Sequence, residues 1–155
     1  KGNLRIEVRF KGPLFQEKKA STNTLKIDFN KRKIRNKIAK VVQKLFSDVP
    51  QFTLVVLDEK EILAEKIRTL INRGESRDLY DIWMLLSKKV PIDRKLLVEK
   101  MKEEKSDISN LNFPSKEEYN IDLKNLLLFL PGYKQVKEEV EDELKKLQLD
   151  KNEKR

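Results

Sequence analysis

The sequence predicts an α+β fold in which N-terminal β-strands precede a mainly helical C-terminal bundle. Apolar and charged residues alternate in residues 4–11 and again in residues 25–29, which is the period of strands with one buried face. From residue 59 onward, apolar residues instead recur at i, i+3 and i+4, the spacing of amphipathic helices. Because the strand patterns come first and the helical patterns follow, we expect one compact α+β domain.

Residues 1–58 are predicted to form a small sheet region that also contains a basic helix. The two alternating segments form a hairpin within residues 4–30, and the short apolar run at residues 52–57 adds a further strand. Between them, residues 31–44 carry apolar side chains at helical spacing and are predicted to form a helix. Asp58 follows the last strand and is the predicted N-cap of the next helix.

Residues 59–149 are predicted to form the helical region, and residues 150–155 a frayed tail. The first helix ends at a Gly74 C-cap, and a second helix opens at Ser76 and continues to Leu86. The remaining predicted helices cover residues 93–104, 122–130 and 133–147, separated by a polar loop at residues 105–115 and by Pro131 and Gly132.

Two of these helices carry charged residues at positions where the pattern requires apolar ones. Lys66 lies within the apolar stripe of the first helix, and Asp78 and Asp81 interrupt the second. A buried charge destabilises a fold unless it has a partner. One interpretation is a structural ion pair, in which Lys66 or Arg77 neutralises Asp81 and fixes the register of the helices. The other is a half-buried site in which Lys66 holds an anionic ligand and Asp81 orients it.

The charge balance favours polyanionic partners but also fits a solvated surface. The 35 Lys and Arg residues exceed the 26 Asp and Glu residues and give a net charge of +9, which attracts RNA or DNA by counterion release and long-range steering. Interleaved Lys and Glu are equally typical of the surface ion-pair networks of thermophilic proteins. The densest basic patch is either a nucleic-acid-binding surface or a solvated one, and comprises Lys31, Arg32, Lys33, Arg35 and Lys37.

The missing residue types exclude whole classes of chemistry. With no His and no Cys, the chain cannot form a Ser-His-Asp or Cys-His system, an imidazole or thiolate zinc site, or a disulfide. Carboxylates, lysines, tyrosines and hydroxyls remain as catalytic groups. The longest apolar run, residues 126–130, is far shorter than a membrane span and no secretory leader is recognisable, so a cytoplasmic location is expected.

Residues 61–86 resemble the AbiEii/AbiGii-type nucleotidyltransferases of abortive-infection and toxin-antitoxin systems. In that family, a helix with a lysine and an arginine precedes a helix with the pattern Arg-Asp-x-Tyr-Asp. Here the first motif reads as Lys66 through Arg73, and the second as Arg77, Asp78, Tyr80 and Asp81.

The resemblance assigns roles to individual side chains and implies that the N-terminal strands belong to a nucleotidyltransferase-type sheet. Lys66 and Asp81 would be catalytic, and Arg73, Arg77 and Asp78 would bind the nucleotide or support those that do. Asp28, on the second strand, is similar in placement to the family's third acid, and would be a further catalytic residue and metal ligand.

The activity that the resemblance implies is transfer of a nucleoside monophosphate from an NTP to an acceptor such as tRNA. Mg²⁺ is the expected metal, and a cognate antitoxin the expected protein partner. The family's Gly-Gly-Ser segment and Asp-x-Asp pair are missing from the sequence, so the chain is expected to be an incomplete piece that is inactive alone. The alternatives are a non-enzymatic nucleic-acid-binding module and a protein-interaction domain.

Overall fold

Two antiparallel strand pairs precede five helices in the part of the chain that the structure describes. This computed structural model describes residues 4–18, 21–31, 33–44 and 46–149. The order of elements confirms the predicted α+β class. The chain divides into two compact units, residues 1–34 and residues 35–155.

The first unit is built on a hairpin of β1 (Leu4–Phe10) and β2 (Asn23–Phe29). The strands pair antiparallel with Leu4 opposite Phe29 and Phe10 opposite Asn23, so the alternating apolar residues of both strands share one face. These apolar side chains are all more than one-third exposed. The predicted hairpin is confirmed, but within its own unit its apolar face remains open to solvent.

The second unit begins with another hairpin, β3 (Lys37–Val42) and β4 (Phe52–Leu57). Strand β4 was predicted, but the basic helix predicted for residues 31–44 is wrong. The segment contains Ile38, Val41 and Val42, and β-branched side chains lose rotamer freedom in a helix but pack well on a strand. Pairing with β4 supplies the backbone hydrogen bonds that a helix would otherwise have provided.

Helices α1 (Glu59–Arg73) and α2 (Ser76–Ser87) are joined by the shortest helix connection in the described chain. The Asp58 carboxylate accepts a hydrogen bond from the Lys60 N–H, and Gly74 ends α1 in the left-handed conformation at φ 64°. Both caps confirm the prediction. A Cβ at Gly74 would also lie only 2.7 Å from the side-chain nitrogen of Asn112, so space as well as conformation favours glycine.

Three further helices complete the unit: α3 (Arg94–Glu104), α4 (Lys116–Leu123) and α5 (Tyr133–Leu149). The predictions for α3 and α5 are confirmed, whereas the helix predicted at residues 122–130 is wrong. Helix α4 begins earlier because Ser115 and Glu118 form a capping box. It ends at Leu123, and residues 124–126 form turns.

The hydrophobic core lies among the helices of the second unit. Helix α1 packs against α2 and α3, and α2 also packs against α4 and α5. Leu63, Ile67 and Leu70 of α1 are fully buried, and each contributes about 1.5–3 kcal/mol by leaving water. The prediction was one compact domain whose strand region ends at residue 58, whereas the observed division into two units falls between residues 34 and 35, which places β3 and β4 with the helices.

None of the described helices combines the length and the apolar character that crossing a bilayer requires. The predicted frayed tail, residues 150–155, lies outside the described residues.

Candidate functional site

A buried carboxylate between α1 and α2 binds two cations. Asp78, with 1% of its side chain exposed, accepts through Oδ1 from Lys66 Nζ at 3.0 Å and through Oδ2 from Arg73 Nε at 2.9 Å. Lys66 Nζ also lies 2.6 Å from Asp81 Oδ2, and Arg73 Nη1 lies 3.2 Å from Glu75 Oε1. We call Lys66, Arg73, Asp78 and Asp81 the Asp78 cluster.

Helix geometry explains why these four side chains meet. Lys66 and Arg73 are seven positions apart in α1, about two turns, and therefore lie on one side of that helix. Asp78 and Asp81 are three positions apart and are neighbours on α2. The ion pair predicted between the two helices is therefore present, but its centre is Asp78 rather than Asp81.

The ion pairs keep the cluster charged despite its burial. Burial by itself would raise the pKa of Asp78, but hydrogen bonds from Arg73 and Lys66 outweigh it and hold that pKa below its usual value. Burial likewise opposes the charge on Lys66, yet its hydrogen bonds to Asp81 and Asp78 raise its pKa. A hydrogen bond to Asp78 also raises the pKa of Arg73. All three groups are therefore ionised at neutral pH.

The cations are buried less deeply than the carboxylate that holds them. The exposed fraction of the side chain is 30% for Lys66, 51% for Arg73 and 43% for Asp81. An ammonium has three N–H donors and a guanidinium has five, so the partners above leave donors on both cations. Two cations fixed side by side with spare donors suit the oxygens of a phosphate group.

The start of α2 adds two further features beside the cluster. The Oγ atom of Ser76 is buried and has no hydrogen-bond partner among the described residues. The N-cap residue Glu75 makes no side-chain capping hydrogen bond. Unsatisfied groups at a helix N-terminus carry partial positive charge and favour an anion nearby.

The other predicted site residues lie elsewhere. Arg77 is exposed on α2, and no ion pair of its side chain is seen among the described residues. Asp28 lies in the first unit, where Arg5 opposite it on β1 donates to both carboxylate oxygens, at 2.6 and 3.0 Å. The hydrogen bond from Arg5 holds the pKa of Asp28 below its usual value.

The predicted basic patch is divided between the two units. Lys31 and Lys33 belong to the first unit, and Arg35 and Lys37 to the second, while Arg32 lies outside the described residues. Arg35 pairs with Glu99 at 3.0 Å and with Glu103 at 3.4 Å, both on α3. Its charge is therefore balanced within the fold.

Sequence reasoning missed a second buried charge network, between α1 and α3. Lys100, 3% exposed, lies 2.5 Å from Glu61 Oε1 and 2.7 Å from Glu65 Oε1. Arg68, equally buried, pairs with Glu65 and Glu104. We call Glu61, Glu65, Arg68, Lys100 and Glu104 the Lys100 network.

The Lys100 network also fixes the segment before β3. The Glu61 carboxylate accepts hydrogen bonds from the backbone N–H groups of Arg35 and Asn36, at 3.3 and 3.2 Å. Glu61 and Glu65 were visible in the sequence as acids within an apolar helix, but their partner Lys100 is 35 positions beyond Glu65. No local pattern connects residues so far apart.

The described residues do not by themselves fit a Mg²⁺ site. They contain no group of three or more acidic side chains that could hold a metal ion. Asp78 and Asp81 are engaged with cations, and Asp28 is paired with Arg5. A divalent cation prefers several free carboxylate or carbonyl oxygens.

The sequence matches a known protein family along almost its whole length. Residues 3–152 match the family model described as the nucleotidyl transferase AbiEii toxin of type IV toxin–antitoxin systems. No curated protein and no solved structure shows a significant match to the chain. Because the family match covers almost the whole sequence, the predicted resemblance is confirmed, and the chain belongs to the AbiEii nucleotidyltransferase toxin family.

Proposed function

We propose that this protein transfers a nucleoside monophosphate from an NTP to an RNA acceptor, with tRNA as the favoured acceptor and the Asp78 cluster as the triphosphate site. The observation that supports it best is the buried Asp78 carboxylate, which fixes Lys66 and Arg73 next to each other at a half-exposed position. A purely structural pair would not require two cations with spare donors on the solvent side.

The reaction is an in-line displacement at the α-phosphorus of the NTP. An acceptor hydroxyl oxygen forms the new bond to phosphorus, the bond to the β-phosphate oxygen breaks, pyrophosphate leaves and the hydroxyl proton passes to solvent. Negative charge spreads over the phosphate oxygens in the transition state. Lys66 and Arg73 would stabilise that charge, because donors held in place by Asp78 need no reorganisation during the reaction.

Asp81 would orient Lys66 and face the acceptor. Its carboxylate holds Lys66 Nζ from the exposed side, where an approaching hydroxyl would arrive. A catalytic role for Asp28 would require its carboxylate to leave Arg5, and the lowered pKa makes it a weak base. Within a toxin–antitoxin system, a cognate antitoxin would be the protein that restrains this activity.

The test is magnesium-dependent labelling of RNA by each radiolabelled NTP, with the protein expressed at its full natural length and with two variants of it. Lys66→Met keeps the aliphatic stem and removes the charge, and Asp81→Asn keeps the shape of a half-exposed group. Removal of one positioned electrostatic contact typically costs about 100-fold or more in rate, so we expect both variants to lose labelling to that extent.

Lys134→Ala is the matched control, because Lys134 is 86% exposed on α5 and pairs weakly with Glu138. It should label RNA like the wild type. Thermal unfolding of every variant separates the two interpretations of the cluster. If Lys66→Met unfolds more easily while its labelling per folded molecule is unchanged, the cluster is a structural ion pair and the proposal fails.

A further inference from the structure

An open cleft lined by four lysines lies at the end of α2 opposite to the Asp78 cluster. Its volume is about 390 Å³. Lys40 comes from β3, Lys60 from the first turn of α1, and Lys88 and Lys89 from the residues that follow α2. The other lining residues are Ile38, Asp58, Glu59, Val90 and Pro91.

The cleft has a surplus of positive charge. Two carboxylates face the four lysines, and one of them, Asp58, is engaged in capping α1. The other, Glu59, lies 3.5 Å from Lys40 Nζ. Three elements that are distant in sequence thus bring like charges together, which opposes folding slightly unless an anion occupies the space between them.

The backbone of Lys89 also has an unfavourable conformation. Lys89 has φ 59°, and the hydrogen bonds from Lys89 N–H to Leu86 O and from Val90 N–H to Leu85 O form a Schellman motif. The position after the C-cap of that motif normally carries glycine, because the left-handed conformation is unfavourable for a residue with a Cβ. Lysine therefore occupies a site where glycine would fold better.

The lining chemistry favours a phosphodiester backbone over an acidic protein. Protein interfaces are enriched in Trp, Tyr and Arg and depleted in Lys at their centres, and this lining has four lysines and none of those three types. Lysines act as mobile point charges and neutralise phosphates without reading sequence. The net charge of +9 acts in the same direction.

The position of the cleft relates it to the site of transfer. Lys88 follows Asp81 by seven residues, which is roughly 10 Å along the axis of α2. An extended nucleic acid strand with its backbone in the cleft can thus reach the Asp78 cluster with an end that lies only a few nucleotides away.

We propose that this lysine cleft, formed by Lys40, Lys60, Lys88 and Lys89, binds the phosphate backbone of the acceptor RNA. Its identification as the acceptor's site rests on the proposed nucleotide transfer, whereas binding of the polyanion itself does not.

The experiment measures binding of fluorescein-labelled oligouridylate to the full chain by fluorescence anisotropy over a range of salt concentrations. Lys89→Gly removes one charge and relieves the left-handed backbone, so its melting temperature should equal or exceed that of the wild type. Each lost phosphate contact reduces the affinity for a single strand roughly fivefold at about 0.1 M salt. Lys60→Gln/Lys89→Gly should therefore bind roughly 25-fold more weakly, with a shallower salt dependence.

Lys105→Gly is a closely matched control. Lys105 also follows a helix in a Schellman motif, at φ 53°, and does not line the cleft. It should gain stability as Lys89→Gly does and bind oligouridylate like the wild type. If Lys89→Gly and Lys105→Gly weaken oligouridylate binding equally, the proposal is overturned, because the loss of affinity would then follow from the net charge of the protein and not from the cleft.

Two further results separate this proposal from the proposed function. Binding of polyglutamate in place of oligouridylate, lost in Lys60→Gln/Lys89→Gly, would overturn it in favour of an acidic protein partner. Binding of oligouridylate that depends on the cleft lysines, together with a failure of the protein at its full natural length to label RNA, would uphold the cleft as an RNA site and refute nucleotide transfer. In an active enzyme, the cleft variants should raise the KM for RNA and leave the KM for the NTP unchanged.

Discussion

Asp78 is the residue on which the arrangement of the cluster depends, because each of its oxygens accepts from a different cation. Two cations that share a small volume repel each other, and the carboxylate between them offsets that repulsion. Its deep burial fixes the position of the negative charge. Asp78 therefore holds Lys66 and Arg73 from the buried side, so that a ligand can bind the two cations from the solvent side without displacing Asp78.

We expect Asp78→Asn to lower the free energy of unfolding by about 2 kcal/mol at neutral pH, because an amide cannot neutralise both cations. The pKa of Asp78 lies below its ordinary value of 3.8 in the folded protein, so the unfolded state binds the proton more readily. The stabilisation that ionised Asp78 provides is therefore complete at pH values above 3.8, and it disappears as the pH falls through the pKa of Asp78 in the folded protein.

Urea denaturation of both proteins, from neutral to strongly acidic pH, measures this effect. The stabilities of wild type and Asp78→Asn should converge in acid. A difference between them that stays constant below the ordinary pKa of aspartate would show that Asp78 contributes through shape and not through charge.

For these single residues, the sequence predicted which charged groups would pair but not how deeply each one is buried. A charge of each sign within two adjacent apolar helices was sufficient to predict the pairing of Lys66 with a carboxylate of α2. Whether Asp78 or Asp81 is the buried one depends on the rotation of α2 against α1, which three-residue spacing leaves open. Lys100 could not be predicted, because its burial follows from the packing of α3 on α1.

At the scale of elements, the Lys100 network joins α1, α3 and the segment before β3. Removal of one partner from a buried ion pair leaves an uncompensated charge, whereas removal of both often costs little. The network is therefore a test of how these three elements are held together.

We expect Lys100→Met to destabilise the protein by about 3–5 kcal/mol, because Glu61 would lose its cation at a fully buried position. Glu61→Gln/Lys100→Met should recover much of that loss. Chemical denaturation of the single and double variants gives the coupling energy. If the losses of the two single variants simply add, the pair makes no specific contribution.

The two wrongly predicted elements show which forces outweigh apolar spacing. Residues 37–42 have a spacing compatible with a helix, but β-branched side chains and an available partner strand favour β3. In residues 116–130, the capping box of Ser115 and Glu118 determined where α4 begins. The apolar run after Leu123 is the more conspicuous pattern in the sequence, but it did not indicate where the helix lies.

At the scale of the whole molecule, the two units differ in how much they bury. The second unit contains the helical core, whereas the first unit, taken by itself, leaves every residue of β1 and β2 exposed. An isolated two-stranded hairpin is only marginally stable in water. The two units are therefore expected to differ in local stability.

We expect the backbone amides of β1 and β2 to exchange with deuterium faster than those of α1 and α2, because local opening of the hairpin exposes little additional apolar surface. Hydrogen exchange followed by mass spectrometry measures this at the level of peptides. Equal protection of the hairpin and the helices would show that another surface covers the apolar face in solution.

Because only two residues connect α1 and α2, this part of the fold should not tolerate insertions. A residue inserted before Asp78 within the first turn of α2 would rotate the following part of the helix by about 100°. Both aspartates would then leave the side that faces Lys66 and Arg73. Surface loops generally absorb insertions at small cost, as the polar stretch between α3 and α4 should. Here a single-codon insertion would separate the charges while every residue type of the site was preserved.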